Sequence, residues 1–191
     1  MGLDMYLLKY QKIKGIPFKA QTEIDVNELE EDLKKAFKPY IKEKGTNFKW
    51  EALYEDVMYW RKANAIHKFF VDTVQNSEDD CGYYEVDLET IKKLNNLCEQ
   101  ALKITTESPK KIIQVQIGWS KDGLIYEDVE VYDVDKNEIV NLLPTQSGFF
   151  FGNTEYDVCY IQDLKDTIEA CNKIINEFDF ENNYLAYTSS W

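Results

Sequence analysis

The sequence of 191 residues has few histidines and cysteines, the residues that bind zinc or form disulfides: one histidine and four cysteines. Cys81, Cys98, Cys159 and Cys171 contain no C-x-x-C pair, and a single histidine cannot complete a zinc-ligand pattern with them. No run of about 18 apolar residues occurs, which a membrane-spanning helix needs. Residues 1–10 also lack the basic flank and apolar run of a signal peptide. We therefore expect a reduced, soluble, cytoplasmic protein with no membrane partner, no metal and no cofactor.

Basic residues are scarce relative to acidic ones. The chain has 22 lysines and arginines against 35 aspartates and glutamates, a formal net charge of −13. A field of this sign repels phosphate backbones, which excludes nucleic acid as a general partner. A basic protein surface remains a suitable partner. Aromatic residues make up 14% of the chain, and they provide either core volume or stacking platforms.

The hydrophobic pattern predicts one α+β domain over residues 1–191, with a mixed or antiparallel sheet and about four helices. Strand-like patterns occur over residues 2–10 and 184–191, and we expect these two strands to share a sheet. Asp87 is the expected N-cap of one helix. The other predicted elements are helices over residues 27–38, 54–75, 88–101 and 161–178, a strand over 83–86, a β-rich segment over 112–141, and a short apolar strand that ends the loop over 142–152.

The predicted helix over residues 54–75 carries the only histidine. At about 100° per residue, its inward face is apolar except for Asn64 and His67, which lie one turn apart. A buried amide or imidazole without a partner costs about 1–3 kcal/mol, so each needs an internal partner or a ligand. The pattern fits a core histidine and a pocket histidine equally well.

The pocket interpretation draws on the residues around this pair. Arg61 offers a planar fork for carboxylate or phosphate, and Trp60 offers a ring for stacking. The N-terminal strand and the loop over 142–152 are expected to contribute as well. The predicted ligand-binding residues are Asp4, Tyr6, Trp60, Arg61, Asn64, His67, Gln146 and Phe149. Together they suit an anionic, nucleotide-like ligand.

Three consecutive carboxylates, Glu78, Asp79 and Asp80, follow the predicted helix and lead into Cys81. They lack the D-x-[DN]-x-[DN]-G calcium loop, and we expect them to be solvated or helix-capping. A hydrolase with His67 as general base beside Asp79 and Asp80 would need a metal or a further nucleophile. A Cys81–His67 pair is another alternative. We assign no catalytic residue from the sequence.

Five segments resemble an uncharacterised family of small proteins common in bacteriophages and prophages. They are GLDMYL at residues 2–7, YWRKANAIH at 59–67, EDDC at 78–81, LLPTQSGFFFG at 142–152 with Tyr156, and SSW at 189–191. The resemblance extends from end to end but does not cover residues 9–50 or 103–140. It supplies no established activity, and it implies a host-cell cytoplasm and a role against host defence.

Three functions fit these observations. The favoured one is a binding protein for an anionic, nucleotide-like ligand, with sequestration of a host defence signal as its purpose. The second is an acidic interaction protein that inhibits a host enzyme or nucleic-acid-binding protein. The third is a metal-dependent hydrolase. A binding role is favoured over catalysis, and homo-oligomerisation is left open.

Overall fold

The computed structural model describes residues 2–22, 30–44, 49–52, 54–121 and 123–191. The fold is α+β, as predicted, and its strand pairs are antiparallel. In chain order the elements are β1 (Asp4–Gln11), α1 (Phe18–Thr22), α2 (Glu31–Phe37), a 3₁₀ turn (Lys38–Tyr40), β2 (Ile41–Lys44), β3 (Lys49–Ala52), β4 (Tyr54–Arg61), α3 (Asn64–Val74), β5 (Tyr84–Val86), α4 (Leu88–Glu107), β6 (Lys110–Ser120), β7 (Gly123–Tyr132), α5 (Lys136–Ile139), α6 (Val158–Glu177) and β8 (Asn183–Ser190).

A four-stranded sheet with the order β4-β1-β8-β5 is the frame of the molecule. Met5 of β1 pairs with Trp60 on one side and Ser189 on the other. The prediction that the first and last strands share a sheet is therefore confirmed. Because side chains alternate along a strand, Met5 and Leu7 face the main core, whereas Leu8 and Tyr10 face a smaller cluster on the other side of the sheet.

Helices α3, α4 and α6 supply the other half of the main core. Helices α4 and α6 pack along each other, and the predicted apolar stripes bury Cys98 and Cys171 completely. Asp87 is the N-cap of α4, as predicted, because its carboxylate accepts a hydrogen bond from Thr90 N at 2.7 Å. No helix in the described ranges is long and apolar enough to cross a membrane.

The prediction of one helix over residues 54–75 is wrong in its first half. Residues 54–61 form strand β4, and the helix begins only at Asn64. Val57 and Trp60 have helical spacing to Asn64, but hydrogen bonding to β1 outweighs that local pattern. Between strand and helix, Lys62 has a left-handed backbone with φ of 61°. This conformation breaks any continuous helix at that residue.

The short apolar strand expected at the end of the 142–152 loop is also absent, since residues 149–151 form a turn. Phe149 is 95% exposed, whereas Phe151 is buried. The predicted helix over 27–38 is observed as α2 from Glu31 onward. Residues 27–29 and the polar turn around Gly45 lie outside the described residues.

Strands β6 and β7 form a two-stranded hairpin of their own, here called the arm. Their register runs from Lys110 opposite Tyr132 to Ser120 opposite Gly123, with one bulge between Gln116 and Gly118. No other element within the described ranges packs extensively on it. Apart from its base, where Val131 is buried and Tyr132 packs against the main core, the arm therefore lies outside that core.

The end of β8 is expected to matter for stability. Removing Ser189–Trp191 deletes two pairings with β1, the buried Ser189, and the ring contact between Trp191 and Phe151. We expect the free energy of unfolding, measured by urea denaturation, to fall by about 2–4 kcal/mol.

Trp191→Ala is the matched control for this truncation. The indole is 48% exposed, so its loss alone should cost only about 1 kcal/mol. A truncated protein as stable as the parent would show that the end of β8 contributes nothing to the sheet.

Candidate functional site

The start of helix α3 lies at a tight junction with strand β4. Lys62 N donates to Leu3 O at 2.8 Å, and Asn64 N donates to Lys62 O at 2.8 Å. These bonds hold the left-handed backbone of Lys62. Ala63 occupies the N-cap position, so no side chain caps the helix.

Asn64 ties this junction to the loop after residue 145. Its Nδ2 donates to Phe151 O at 3.1 Å and to Asn153 O at 2.8 Å, and its Oδ1 accepts from Gln146 N at 2.9 Å. Both amide donors are therefore used inside the protein. The side chain fixes the loop that forms one side of a cleft.

This cleft, here called the α3 cleft, has a volume of about 260 Å³. It lies between the first turn of α3, the loop over residues 152–157 and the first turns of α6. Arg61 and Lys62 line it, and neither forms an ion pair in the part of the chain that the structure describes. Two cations without carboxylate partners thus lie beside an uncapped helix start.

Backbone donors add to this positive character. Asn64 N bonds to Lys62 O and His67 N bonds to Ala63 O, but the N–H groups of Ala65 and Ile66 have no acceptor among the described residues. Ala65 and Ile66 both line the α3 cleft. Such free N–H groups and the helix dipole favour an anion.

The α6 side of the cleft is acidic. Asp157 is the N-cap of α6, accepting from Cys159 N at 2.8 Å and Tyr160 N at 3.0 Å. Its second oxygen accepts from Asn153 Nδ2. Burial, with the nearby charges of Asp166 and Asp157, raises the pKa of Asp163 from 3.8 to about 7. Asp163 therefore carries a proton for part of the time near neutral pH.

His67 lies outside the α3 cleft and is fully buried. Its Nε2 is 3.0 Å from Asp79 Oδ2, and its Nδ1 is 2.7 Å from Tyr187 Oη. The carboxylate can only accept, so Nε2–H donates to Asp79 while Nδ1 accepts from the tyrosine hydroxyl. Burial lowers the pKa of His67, and the hydrogen bond and charge of Asp79 oppose that shift only partly. His67 is a neutral core histidine.

This arrangement does not support a Cys81–His67 pair. Both ring nitrogens of His67 have partners, so His67 has no free nitrogen to act as base for Cys81. Burial and the charge of Asp79 also raise the pKa of the Cys81 thiol, which disfavours the nucleophilic thiolate. Asp80 accepts from Gly82 N and Tyr84 Oη instead of joining Asp79. No cluster of three metal-ligating side chains occurs within the described ranges.

The other predicted ligand-binding residues do not surround the α3 cleft. Trp60 is buried in β4, where its Nε1 donates to Thr167 Oγ1 at 2.8 Å, so it is no stacking platform. Asp4 accepts from Tyr59 Oη, and Tyr6 packs beside the same ring. Gln146 contributes its backbone N–H to Asn64, and Phe149 points to solvent.

Only Arg61 and Asn64 of the predicted residues line the cleft. Lys62 and Asp163 were missed, although an N-cap signal at Asp157, just before the apolar repeat of α6, was present in the sequence. The start of α3 at Asn64 has no sequence signal of its own, because the helical spacing over residues 54–75 predicts one continuous helix.

Four segments far apart in the sequence, residues 2–7, 59–67, 142–152 and 189–191, contact one another in this region. Phe150 O accepts from Leu3 N, and Phe151 O accepts from Asn64. The ring of Phe151 contacts both His67 and Trp191 at its edges. Segments far apart in the sequence therefore form one continuous structure beside the α3 cleft.

Asp163 leads to a pH-dependent prediction. Its folded pKa is raised, so the native state binds more protons than the unfolded state between pH 3.8 and about 7. Stability is therefore lost as the pH rises through this window, and ionised Asp163 opposes folding above it. We expect Asp163→Asn to raise Tm at pH 8 and to leave it nearly unchanged at pH 4, by calorimetry.

Glu169→Gln is the control, because Glu169 is exposed on the same helix and does not contribute to the raised pKa of Asp163. It should change Tm little at either pH. An Asp163→Asn variant with the same Tm change at pH 4 and pH 8 would contradict a buried, proton-binding carboxyl.

His67→Ala should destabilise the protein without affecting the α3 cleft. The change leaves Tyr187 Oη and Asp79 unpaired in the core, which costs about 2–4 kcal/mol at pH 7. Because the folded pKa of His67 is lowered from 6.5, its contribution is present above 6.5 and is lost as the pH falls. The difference between parent and variant should therefore shrink from pH 7 to pH 5, and a constant difference would refute the buried neutral histidine.

Comparison with known proteins adds no identity to this geometry. No protein-family model matches the chain, and neither a curated protein nor a solved structure matches it. The resemblance to a bacteriophage family therefore stays a prediction.

Proposed function

We propose that the protein binds a small anionic ligand, a phosphate ester or similar molecule, in the α3 cleft. The observation that carries the proposal is the pair of cations, Arg61 and Lys62, without ion-pair partners in the described structure, beside the free N–H groups of Ala65 and Ile66. The chain as a whole has a net charge of −13. Both cations lie on the α3 side of the cleft, opposite the acidic start of α6.

The two kinds of donor support different parts of anion recognition. The guanidinium of Arg61 can bind two oxygens of a phosphate or carboxylate at once, and Lys62 adds a point charge. Backbone N–H groups at a helix start bind anions without any movement of side chains. Gly152 leaves room for Lys62, since a Cβ on Gly152 would lie 3.3 Å from the Cβ of Lys62.

The size of the cleft limits what it encloses. A volume of about 260 Å³ lies below the usual range of about 300–1,000 Å³ for drug-sized ligands. It suits a phosphate and the group next to it, such as a sugar. Trp60 is buried in the core, so stacking on a nucleotide base no longer supports the proposal. Nucleotides remain one class within a wider set of phosphate esters.

Ligand-induced stabilisation tests this proposal. Inorganic phosphate, ribose 5-phosphate, AMP and citrate should be compared by thermal shift, because a ligand that binds only the native state raises Tm. Affinity of the best ligand should then be measured by calorimetry. Arg61→Ala should weaken it by about 10- to 100-fold, since a charged hydrogen bond contributes about 1.5–3 kcal/mol. The Tm without ligand should hardly move, because Arg61 is exposed.

Two further variants make the test specific. Lys62→Gln removes the second charge of the cleft and should also weaken binding. Lys68→Ala removes a partly buried lysine of α3 that pairs with Asp72 outside the cleft, and it should leave affinity unchanged. Absence of a thermal shift with all four ligands, or equal losses in the Lys68 and Arg61 variants, would refute the proposal. Recovery of the ligand unchanged after incubation distinguishes binding from hydrolysis.

A further inference from the structure

The arm formed by β6 and β7 exposes large apolar side chains on one face. Trp119 lies opposite Leu124, and Tyr126 lies two residues along the same strand, so all three share a face. Their exposed fractions are 81%, 56% and 53%. Ile112, 71% exposed, continues the same face because it pairs with Glu130. An isolated hairpin is marginally stable in water, and large exposed apolar side chains grouped on one face point to a partner.

The outer edge of β7 is free to accept a further strand. Tyr132 N donates to Tyr156 O, away from β6, whereas Asp133 N donates back to Pro109 O. Hydrogen-bonding direction alternates along a strand. Every second residue of β7, counted back from Tyr132, therefore also points its N–H group away from β6. Going toward the tip, these residues are Glu130, Asp128, Tyr126 and Leu124. Their outward N–H groups have no acceptor in the described part of the chain.

The uncompensated charge on this edge is negative. At the base of the arm, Lys110 pairs with Glu130 and Lys111 pairs with Asp133. Nearer the tip, Glu127 forms no ion pair within the described ranges, and Asp128 accepts only a hydrogen bond from Gln114. Two carboxylates without cationic partners thus lie on this edge, Asp128 on the same face as Leu124 and Tyr126 and Glu127 on the opposite face. A complementary strand would place basic side chains beside the carboxylates and apolar ones beside Leu124 and Tyr126.

Charge also argues against a second copy of this chain. Two β7 edges paired about a twofold axis would bring the same carboxylates, Glu127 and Asp128, close to their own copies. Like charges on neighbouring strands are destabilising, and each copy carries a net charge of −13. An anionic bilayer is disfavoured for the same reason.

We infer that the outer edge of β7, from Leu124 to Glu130, is an interaction surface that takes an extended basic and apolar segment of another protein as an added antiparallel strand. The free N–H and C=O groups provide affinity in this mode of recognition, and the flanking side chains provide selectivity. This surface is separate from the α3 cleft, whose lining includes no residue of the arm.

A synthetic peptide tests this directly. In an antiparallel register against Glu130 to Leu124, the complementary sequence is Lys-Val-Lys-Lys-Val-Val-Val, and Glu-Val-Glu-Glu-Val-Val-Val is the charge-reversed control. Each is titrated into the full-length, isotope-labelled protein, and amide chemical shifts are followed by NMR. The lysine peptide should shift the amides from Leu124 to Glu130. The glutamate peptide should bind at least about tenfold more weakly.

Variants of β7 separate an added strand from nonspecific attraction. Tyr126→Pro removes one outward N–H group without removing a hydrogen bond to β6. It should weaken binding of the lysine peptide at least about tenfold. Tyr126→Ala keeps that N–H group and should weaken binding of the lysine peptide less. Asp128→Lys should also weaken binding strongly. Because the arm lies outside the main core, the Tm of each variant should stay near that of the parent.

The opposite results would overturn the inference. These are equal binding of the two peptides, no binding of the lysine peptide, amide shifts confined to the α3 cleft, or unchanged affinity in Asp128→Lys. Sedimentation that shows a dimer lost in Tyr126→Pro would assign the edge to a second copy instead.

Discussion

The side-chain amide of Asn64 is the interaction on which the arrangement of the α3 cleft depends. The loop from residue 145 to 153 has no strand partners, so its backbone groups need hydrogen bonds from elsewhere. Asn64 provides three of these bonds from a buried position at the start of α3. Leu3 N adds a fourth contact from the end of β1. Sheet, helix and loop are thereby held in one fixed geometry around Arg61 and Lys62.

The only histidine belongs to the core for a clear physical reason. It lies between a carboxylate and a tyrosine hydroxyl, which satisfy both ring nitrogens, and burial favours the neutral ring. Tyr187 also stacks on Phe70, with the ring centroids 4.1 Å apart. A polar chain satisfied in this way specifies the packing of α3 against β8. Function then has to be sought in groups that the core leaves without partners.

Two surfaces meet that description, the α3 cleft and the arm. The α3 cleft combines two unpaired cations with free helix N–H groups. The arm combines an exposed apolar face with unpaired carboxylates and free strand N–H groups. The first suits a small anion and the second suits a basic extended segment. No residue of the arm lines the cleft, so binding at either surface requires no contact with the other.

Sequence alone determined the parts of this protein whose signals are local. Strand-like patterns of side chains predicted β1 and β8 at the two ends of the chain. Helical periodicity, together with the N-cap residue Asp87, predicted α4. The candidate site was recognised only in part, through Arg61 and Asn64, because its other groups depend on distant neighbours. Tertiary structure decided that residues 54–61 form a strand, because β1 offers that segment a ladder of hydrogen bonds. It also buried Trp60 against Thr167 and placed Asp163 beside the start of α3. Contacts across about a hundred residues leave no periodic trace in a sequence, since they are set by strand pairing and close packing of the core.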